Sequence, residues 1–109
     1  MQKEHIIVAT TATIPNYEVD EILGLVRGNS IRARHLGSDI GASLKNLVGG
    51  EIKGYVKVMT EAREEAISRM LAEAEALDAD AIVEVRFTTS QIMNGAAEIL
   101  VYGTAVKIR

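Results

Sequence analysis

In two stretches of this chain, Ile22-Leu23-Gly24-Leu25-Val26 and Ile99-Leu100-Val101-Tyr102, both alternating sets of side chains are apolar. Successive side chains of a strand point to opposite sides of its sheet. A strand of this kind needs cover on both sides, whereas an antiparallel sheet with one wet face alternates apolar with polar. The strongest covering element spans residues 55–77, which contain no glycine or proline. On a helical wheel Tyr55, Met59, Ala62, Ala66, Ile67, Met70, Ala74 and Leu77 gather on one side, with Glu61, Glu64, Glu65, Ser68 and Glu75 opposite. That is an amphipathic helix suited to one sheet face. A weaker helical pattern precedes it, with Leu36, Ile40, Leu44 and Leu47 spaced at helical intervals. Gly37 and Gly41 weaken it by ~1 kcal/mol each relative to alanine, and Val48-Gly49-Gly50 is expected to end it. Two apolar faces and one strong helix predict that a second copy covers what the helix does not, an obligate homo-oligomer; the alternative is that the weaker helix covers the second face.

The remaining segments read as strands. Ile6-Ile7-Val8-Ala9-Thr10 is β-prone, and Ile14-Pro15-Asn16 is a turn. Residues 18–27 read as a strand with Ile22, Gly24 and Val26 on one face and Val19, Leu23 and Leu25 on the other, broken by Gly28-Asn29-Ser30. Asp78-Ala79-Asp80 closes the long helix. Residues 81–89 form a strand in which Val83, Val85 and Phe87 alternate with Ile82, Glu84 and Arg86. Met93-Asn94-Gly95 is a hairpin-type turn leading into a final strand over 96–108. The order strand, strand, helix, helix, strand, strand predicts an α+β fold with an antiparallel sheet. At 109 residues the chain, 1–109, is one domain.

Composition sharpens the need for cover. The apolar residues are mostly small: 14 Ala, 12 Ile, 10 Val and 8 Leu, against one Phe, three Tyr and no Trp. A chain of this length buries only ~65% of its unfolded surface alone, and few aromatics are present to enlarge the core. The absence of cysteine removes disulfides, thiolate metal sites and cysteine nucleophiles. A net charge of −3 gives no electrostatic footprint for nucleic acid. No apolar run approaches the ~18 residues of a membrane span, and Met1-Gln2-Lys3-Glu4-His5 is too polar for a signal peptide. The expectation is a soluble, cytoplasmic protein.

Few residues suggest chemistry. His35 and Asp39 lie four apart in the weaker helical pattern, on one face and within reach of a shared cation. With Glu51 as a third donor they would suit a divalent ion such as zinc, manganese or nickel. The plainer alternative is a surface histidine and a helix-stabilising aspartate. His5 reads as solvated. Arg63 falls inside the apolar stripe of the long helix, so its guanidinium must snorkel or pair with carboxylates or carbonyls, with Glu73 and Glu84 as partners by sign; structural pairing is the expectation and anion binding the alternative. Glu61, Glu64 and Glu65 read as a solvated helix face. Gly37, Gly41, Gly49, Gly50 and Gly54, although near Lys45 and Lys53, lack phosphate-loop spacing. The hydroxyls of Thr10-Thr11 and Thr88-Thr89-Ser90 lack a recognisable base.

Arg32-Ala33-Arg34-His35, Asp39-Ile40, Leu44-Lys45-Asn46-Leu47-Val48-Gly49-Gly50-Glu51, Glu61-Ala62-Arg63, Asp80-Ala81-Ile82-Val83 and Gly103-Thr104-Ala105-Val106 together resemble the YbjQ-like family across nearly the whole chain. The sequence departs from many members at Ser38, Asn46 and Glu51, and matches a branch through Arg34-His35-Leu36-Gly37-Ser38-Asp39. The resemblance implies a dodecin-subunit-like α+β fold: a three-stranded antiparallel sheet with a long helix on one face, plus extra short strands used in assembly. It also implies a homopentameric ring in a family described as heavy-metal-binding. It carries no catalytic residue. The functional expectation is a homo-oligomeric binding protein with ligand or ion pockets between subunits and itself as partner, without nucleic acid or membrane. The alternative is a metal-buffering protein using histidine and carboxylates. An enzyme with its site between subunits has only the general tendency of clefts to hold sites behind it.

Overall fold

The computed structural model describes residues 5–33 and 49–109. Along them run β1 (Ile7–Val8), β2 (Val19–Ala33), α1 (Gly49–Ala76), β3 (Ala81–Met93) and β4 (Ala96–Ile108). The sheet order is β1-β3-β4-β2. β2, β4 and β3 are the three antiparallel strands that were expected, while β1 adds a short parallel pairing to β3 through Ile7↔Ala81 and Val8↔Ile82. The fold is thus α+β with a four-stranded mixed sheet, in place of a purely antiparallel one. The weaker helical pattern lies outside the described residues. Its expected stop, Gly49-Gly50, is instead the first turn of α1. Glycine is accepted at the start of a helix as well as after its end, so the pair alone does not fix the direction.

β2 does not break at Gly28-Asn29-Ser30 but runs on to Ala33. These residues look like a turn because they are small and polar. Their smallness instead lets a helix lie on the strand. A Cβ on Gly28 would sit 2.1 Å from the carbonyl oxygen of Ala66 and 2.5 Å from the amide nitrogen of Met70. Ala62, Ala66, Met70 and Ala74 form the buried stripe of α1 and pack with Val26, Ile99, Val101 and Ala105 of β2 and β4. Of the stripe expected from the wheel these four α1 residues are buried, with Met59 and Ile67 packed partly against them, whereas Leu77 lies past the end of α1 and is exposed. α1 ends in a Schellman motif. The amide of Ala79 donates to Ala74 O (3.0 Å), that of Asp78 to Glu75 O (3.0 Å), and Asp78 takes a φ of 59°.

Two bulges disturb the simple alternation of the strands. In β2 the register shifts between Ile22 and Gly24, and Gly24 takes a φ of 132°. As a result Leu23 packs against the helix-side core while Ile22 is exposed. In β3 it shifts between Val83 and Arg86, with Glu84 at a φ of 56°. Val83 and Val85 therefore fall on opposite faces rather than the same one: Val85 joins the helix-side core, whereas Val83 joins Ala81 and Val106 beneath the sheet. The N-terminal segment holds the second bulge in place. Glu84 N donates to Thr11 O (3.1 Å), Val85 N to Ala9 O (3.0 Å), and the Arg86 guanidinium to Thr10 O (2.8 Å). The expected turn at Pro15-Asn16 forms, with Tyr17 N donating to Ile14 O (3.1 Å) and Asn16 at a φ of 72°, the geometry of a type II turn. It brings Ile14 onto the small second core beside Ile7 and Ile108. The chain's own N-terminal residues thus cover one end of the face that α1 leaves open.

Candidate binding surface and polar seam

Val26, Gly28 and Ser30 of β2 point toward α1, so Leu25, Arg27, Asn29 and Ile31 point away. Register places Thr104, Tyr102, Leu100 and Glu98 of β4 beside them. On this open face Leu25 is 61% exposed, Ile31 56% and Tyr102 37%, with Leu100 half-buried. Near the β3–β4 turn Ile92 (51%) and Met93 (59%) are also exposed. On the open face these exposed apolar side chains alternate with Arg27, Asn29 and Glu98.

The other face of β2 meets α1 in a polar seam. Ser30 is fully buried, and its Oγ donates to Glu65 Oε1 at 2.7 Å. Arg32 Nη1 donates to the same oxygen at 2.9 Å, and Arg69 Nη2 lies 3.5 Å from Oε2. The Ser30 hydroxyl, then Arg32, and more weakly the charge of Arg69 hold the Glu65 carboxyl below its ordinary value, against the partial burial that would raise it. A carboxylate stabilised in this way is a poor base, so the seam is suited to holding the helix rather than to moving protons. α1 also caps the outer edge of β2: Glu73 Oε1 accepts the Arg27 amide (2.9 Å), and Arg69 Nη1 donates to Asn29 O (2.6 Å). At these two groups the edge strand is blocked from pairing with another chain.

Two clefts border these surfaces. One of about 460 Å³ follows the capped edge and is lined by Arg27, Asn29, Arg69, Glu73, Glu98 and Leu100. The other, about 420 Å³, lies at the opposite end of the sheet between Ala12, Ile14, Tyr17, Glu18, Val19 and Ile108.

A family model described as "Putative heavy-metal-binding" matches residues 6–109. The chain belongs to this YbjQ-like family. A UPF0145 protein of Archaeoglobus fulgidus is 61% identical over 109 residues, 100% of both chains. UPF0145 proteins of Thermotoga maritima (57% over 102 residues, 94% of this chain and 96% of that one) and Colwellia psychrerythraea (54% over 103 residues, 94% and 98%) are also similar. A crystal structure of a protein with unknown function of the DUF74 family from Pediococcus pentosaceus shares the fold, with a TM-score of 0.59, 17% identity and coverage of 95% of this chain and 98% of that one.

The heavy-metal description of the YbjQ-like family can be set against the donors. The chain has no thiolate, and among the described residues no three histidine or carboxylate groups converge. These residues do not fit a soft heavy-metal site. Of the ligands expected from sequence, His35 and Asp39 lie outside the described residues, and Glu51 lies in the first turns of α1. His5 is exposed. Arg63 is not inside the buried stripe. It lies on the exposed side of α1, one position past buried Ala62, and its Nη2 donates to Thr60 Oγ1 at 3.2 Å. Of the partners considered for it, Glu73 binds the Arg27 amide and Glu84 pairs with Arg86 at 3.2 Å. Glu61 and Glu64 are exposed as expected, but Glu65 is not part of a solvated face. It is the centre of the seam, which the sequence hides because Ser30 belongs to the Gly28-Asn29-Ser30 turn composition and Arg32 lies beyond the expected end of the strand.

Proposed function

We propose that this YbjQ-like chain is the subunit of a cytoplasmic homo-oligomeric ring, a pentamer by its family resemblance, that binds a small ligand or ion in pockets between subunits. The observation that carries the reading is the open face of β2 and β4, where Leu25, Ile31 and Tyr102 stay exposed after the helix and the N-terminal segment have covered what they reach. Burial of apolar surface at ~25 cal/mol per Å² drives association where such a patch has a matching neighbour. The Cα radius of gyration is 17.3 Å, against ~13 Å for a compact chain of this length, and an elongated subunit leaves more of its surface for neighbours. Native mass spectrometry of the purified protein tests this: the expected mass is a multiple of 11.8 kDa with five subunits, together with any retained ligand. A folded single chain at low micromolar concentration would falsify the reading.

A second reading, metal buffering through His35, Asp39 and Glu51, is favoured by the family description. Calorimetric titration with zinc separates the two. Micromolar binding that His35→Ala abolishes supports metal buffering, and no heat at micromolar metal rejects it.

A further inference from the structure

The end of the sheet opposite the β3–β4 hairpin carries the groove of about 420 Å³. A single chain builds it. The Pro15-Asn16 turn, closed by the Tyr17 amide on Ile14 O (3.1 Å), supplies part of the lining. Val19 of β2, paired in register with Ile108 of β4, supplies the rest. Ile14 and Ile108 pack on Ala81, Val83 and Val106 of the second core. The backbone beside the groove is pinned twice, Glu18 N donating to Arg109 O (2.9 Å) and Arg109 N to Glu18 O (3.0 Å). Turn and ladder therefore fix its shape, yet Tyr17 stays 49% exposed and Val19 44%. A preformed apolar concavity with a few placed polar groups is the usual form of a small-molecule site.

The rim sets the sign of the ligand. Glu18 and Asp20 flank Val19, and the single guanidinium of Arg109 is shared between them at 3.6 and 3.7 Å, too long for close hydrogen bonds. Two carboxylates against one cation leave the rim net negative. Register sets Lys107 beside Glu21, but its ammonium is committed to Asp78 Oδ2 at 2.9 Å. An anion entering the groove meets like charge, and a neutral apolar molecule uses the lining alone. A cation with an apolar body matches both, and an aromatic ring such as that of Tyr17 adds attraction for an ammonium. We infer that this groove binds a small amphiphilic amine, its hydrocarbon part against Ile14, Val19 and Ile108 and its ammonium at the Glu18 and Asp20 rim. The groove lies within one chain, so the site is independent of the ring and of any pocket between subunits.

Ligand-observed NMR titration of the full chain with hexylammonium, hexanol and hexanoate tests it. Hexylammonium is expected to bind about fivefold tighter than hexanol, the most that a solvent-exposed charge contact supplies, and hexanoate weakest. Added salt should shrink the advantage of the ammonium, because exposed charges are screened. Glu18→Gln should remove most of that advantage and leave hexanol binding unchanged. Tyr17→Ser, in an exposed turn, should weaken all three several-fold, with the melting curve checking that the fold survives. Hexanoate binding as tightly as hexylammonium overturns the inference. So do affinities unchanged in Tyr17→Ser, which would place the probes on another surface, and the absence of binding by every probe at millimolar concentration. Native mass spectrometry keeps this site and the oligomer reading apart. A multimer that binds none of the probes sinks the groove and leaves the oligomer standing. A single chain that binds hexylammonium with this selectivity upholds the groove and sinks the oligomer.

Discussion

The two sides of β2 share one backbone and a similar share of apolar residues, yet they meet different fates. On the α1 side Val26, Gly28 and Ser30 are fully buried. On the other side Leu25 and Ile31 remain exposed. The difference lies in size. Where α1 crosses at Val26, Gly28 and Ser30 the side chains are small, so two backbones approach closely and the seam is closed by hydrogen bonds. On the far side they are large and branched, and nothing in the described chain reaches over them. Hydrophobic alternation therefore reports how many faces want cover, while side-chain size reports which face a helix backbone will sit against.

The largest way to break this contrast is Gly28→Ala. The new Cβ would collide with the Ala66 carbonyl and the Met70 amide, both backbone atoms that no rotamer change can move. A loss of about 3 kcal/mol is expected, read from the denaturant midpoint at unchanged m-value. A loss below about 0.5 kcal/mol would show that α1 does not lie against Gly28. Gly103→Ala should cost less, about 1–2 kcal/mol. Its nearest obstacles, at 2.7 and 2.9 Å, are methyl groups of Ile82 and Val85, with the Val83 carbonyl at 3.0 Å.

Much of this architecture was legible beforehand. The helix stripe through Ala62, Ala66, Met70 and Ala74, the Pro15-Asn16 turn, the Asp78 stop and the last strand all follow from local chemistry: periodicity, turn residues and hairpin spacing. What failed was non-local. Gly28-Asn29-Ser30 carries a turn composition, and only the arrival of α1, dozens of residues later, makes it a strand. The bulge at Glu84 depends on carbonyls of Ala9 and Thr11, which no pattern within β3 could announce. Arg63 shares its wheel angle with Met70 and Ala74, but the buried positions Ala62, Ala66, Met70 and Ala74 step by four residues and so wind around α1; at the level of Ala62 the core lies about 100° away from Arg63. Glu65 was missed for the same reason as Ser30: an ion pair across two elements is invisible until both elements are placed.

The seam also makes a prediction about pH. Because the Glu65 carboxyl is held below its ordinary value in the folded chain, the unfolded chain binds the proton more readily. Stability from this group is therefore fully present above the ordinary carboxylate value and is lost as pH falls through the lower folded value. Glu65→Gln should lower the melting temperature at neutral pH, and the gap to the parent protein should close as the solution is acidified through that window. Ser30→Ala, which removes the hydroxyl that does most to hold the carboxyl down, should shrink the same gap. A melting difference that stays constant down to strongly acid pH would mean that Glu65 acts by packing alone.

The smallest effect on the subunit is expected where the open side is altered. Leu25 is more than half exposed, so Leu25→Ser removes little that the single chain has buried, and the change in subunit stability should stay within about 0.5 kcal/mol. If neighbours cover this face, the same substitution takes apolar area out of the contact and puts a hydroxyl into it. Dissociation on dilution should then begin at a several-fold higher concentration, while the unfolding midpoint of the separated subunit is unchanged. Gly28→Ala should behave in the opposite way, weakening the separated subunit itself. A Leu25→Ser protein that loses subunit stability as Gly28→Ala does would mean that the two sides of β2 are equally committed to the single chain's core, and the contrast between them would fall.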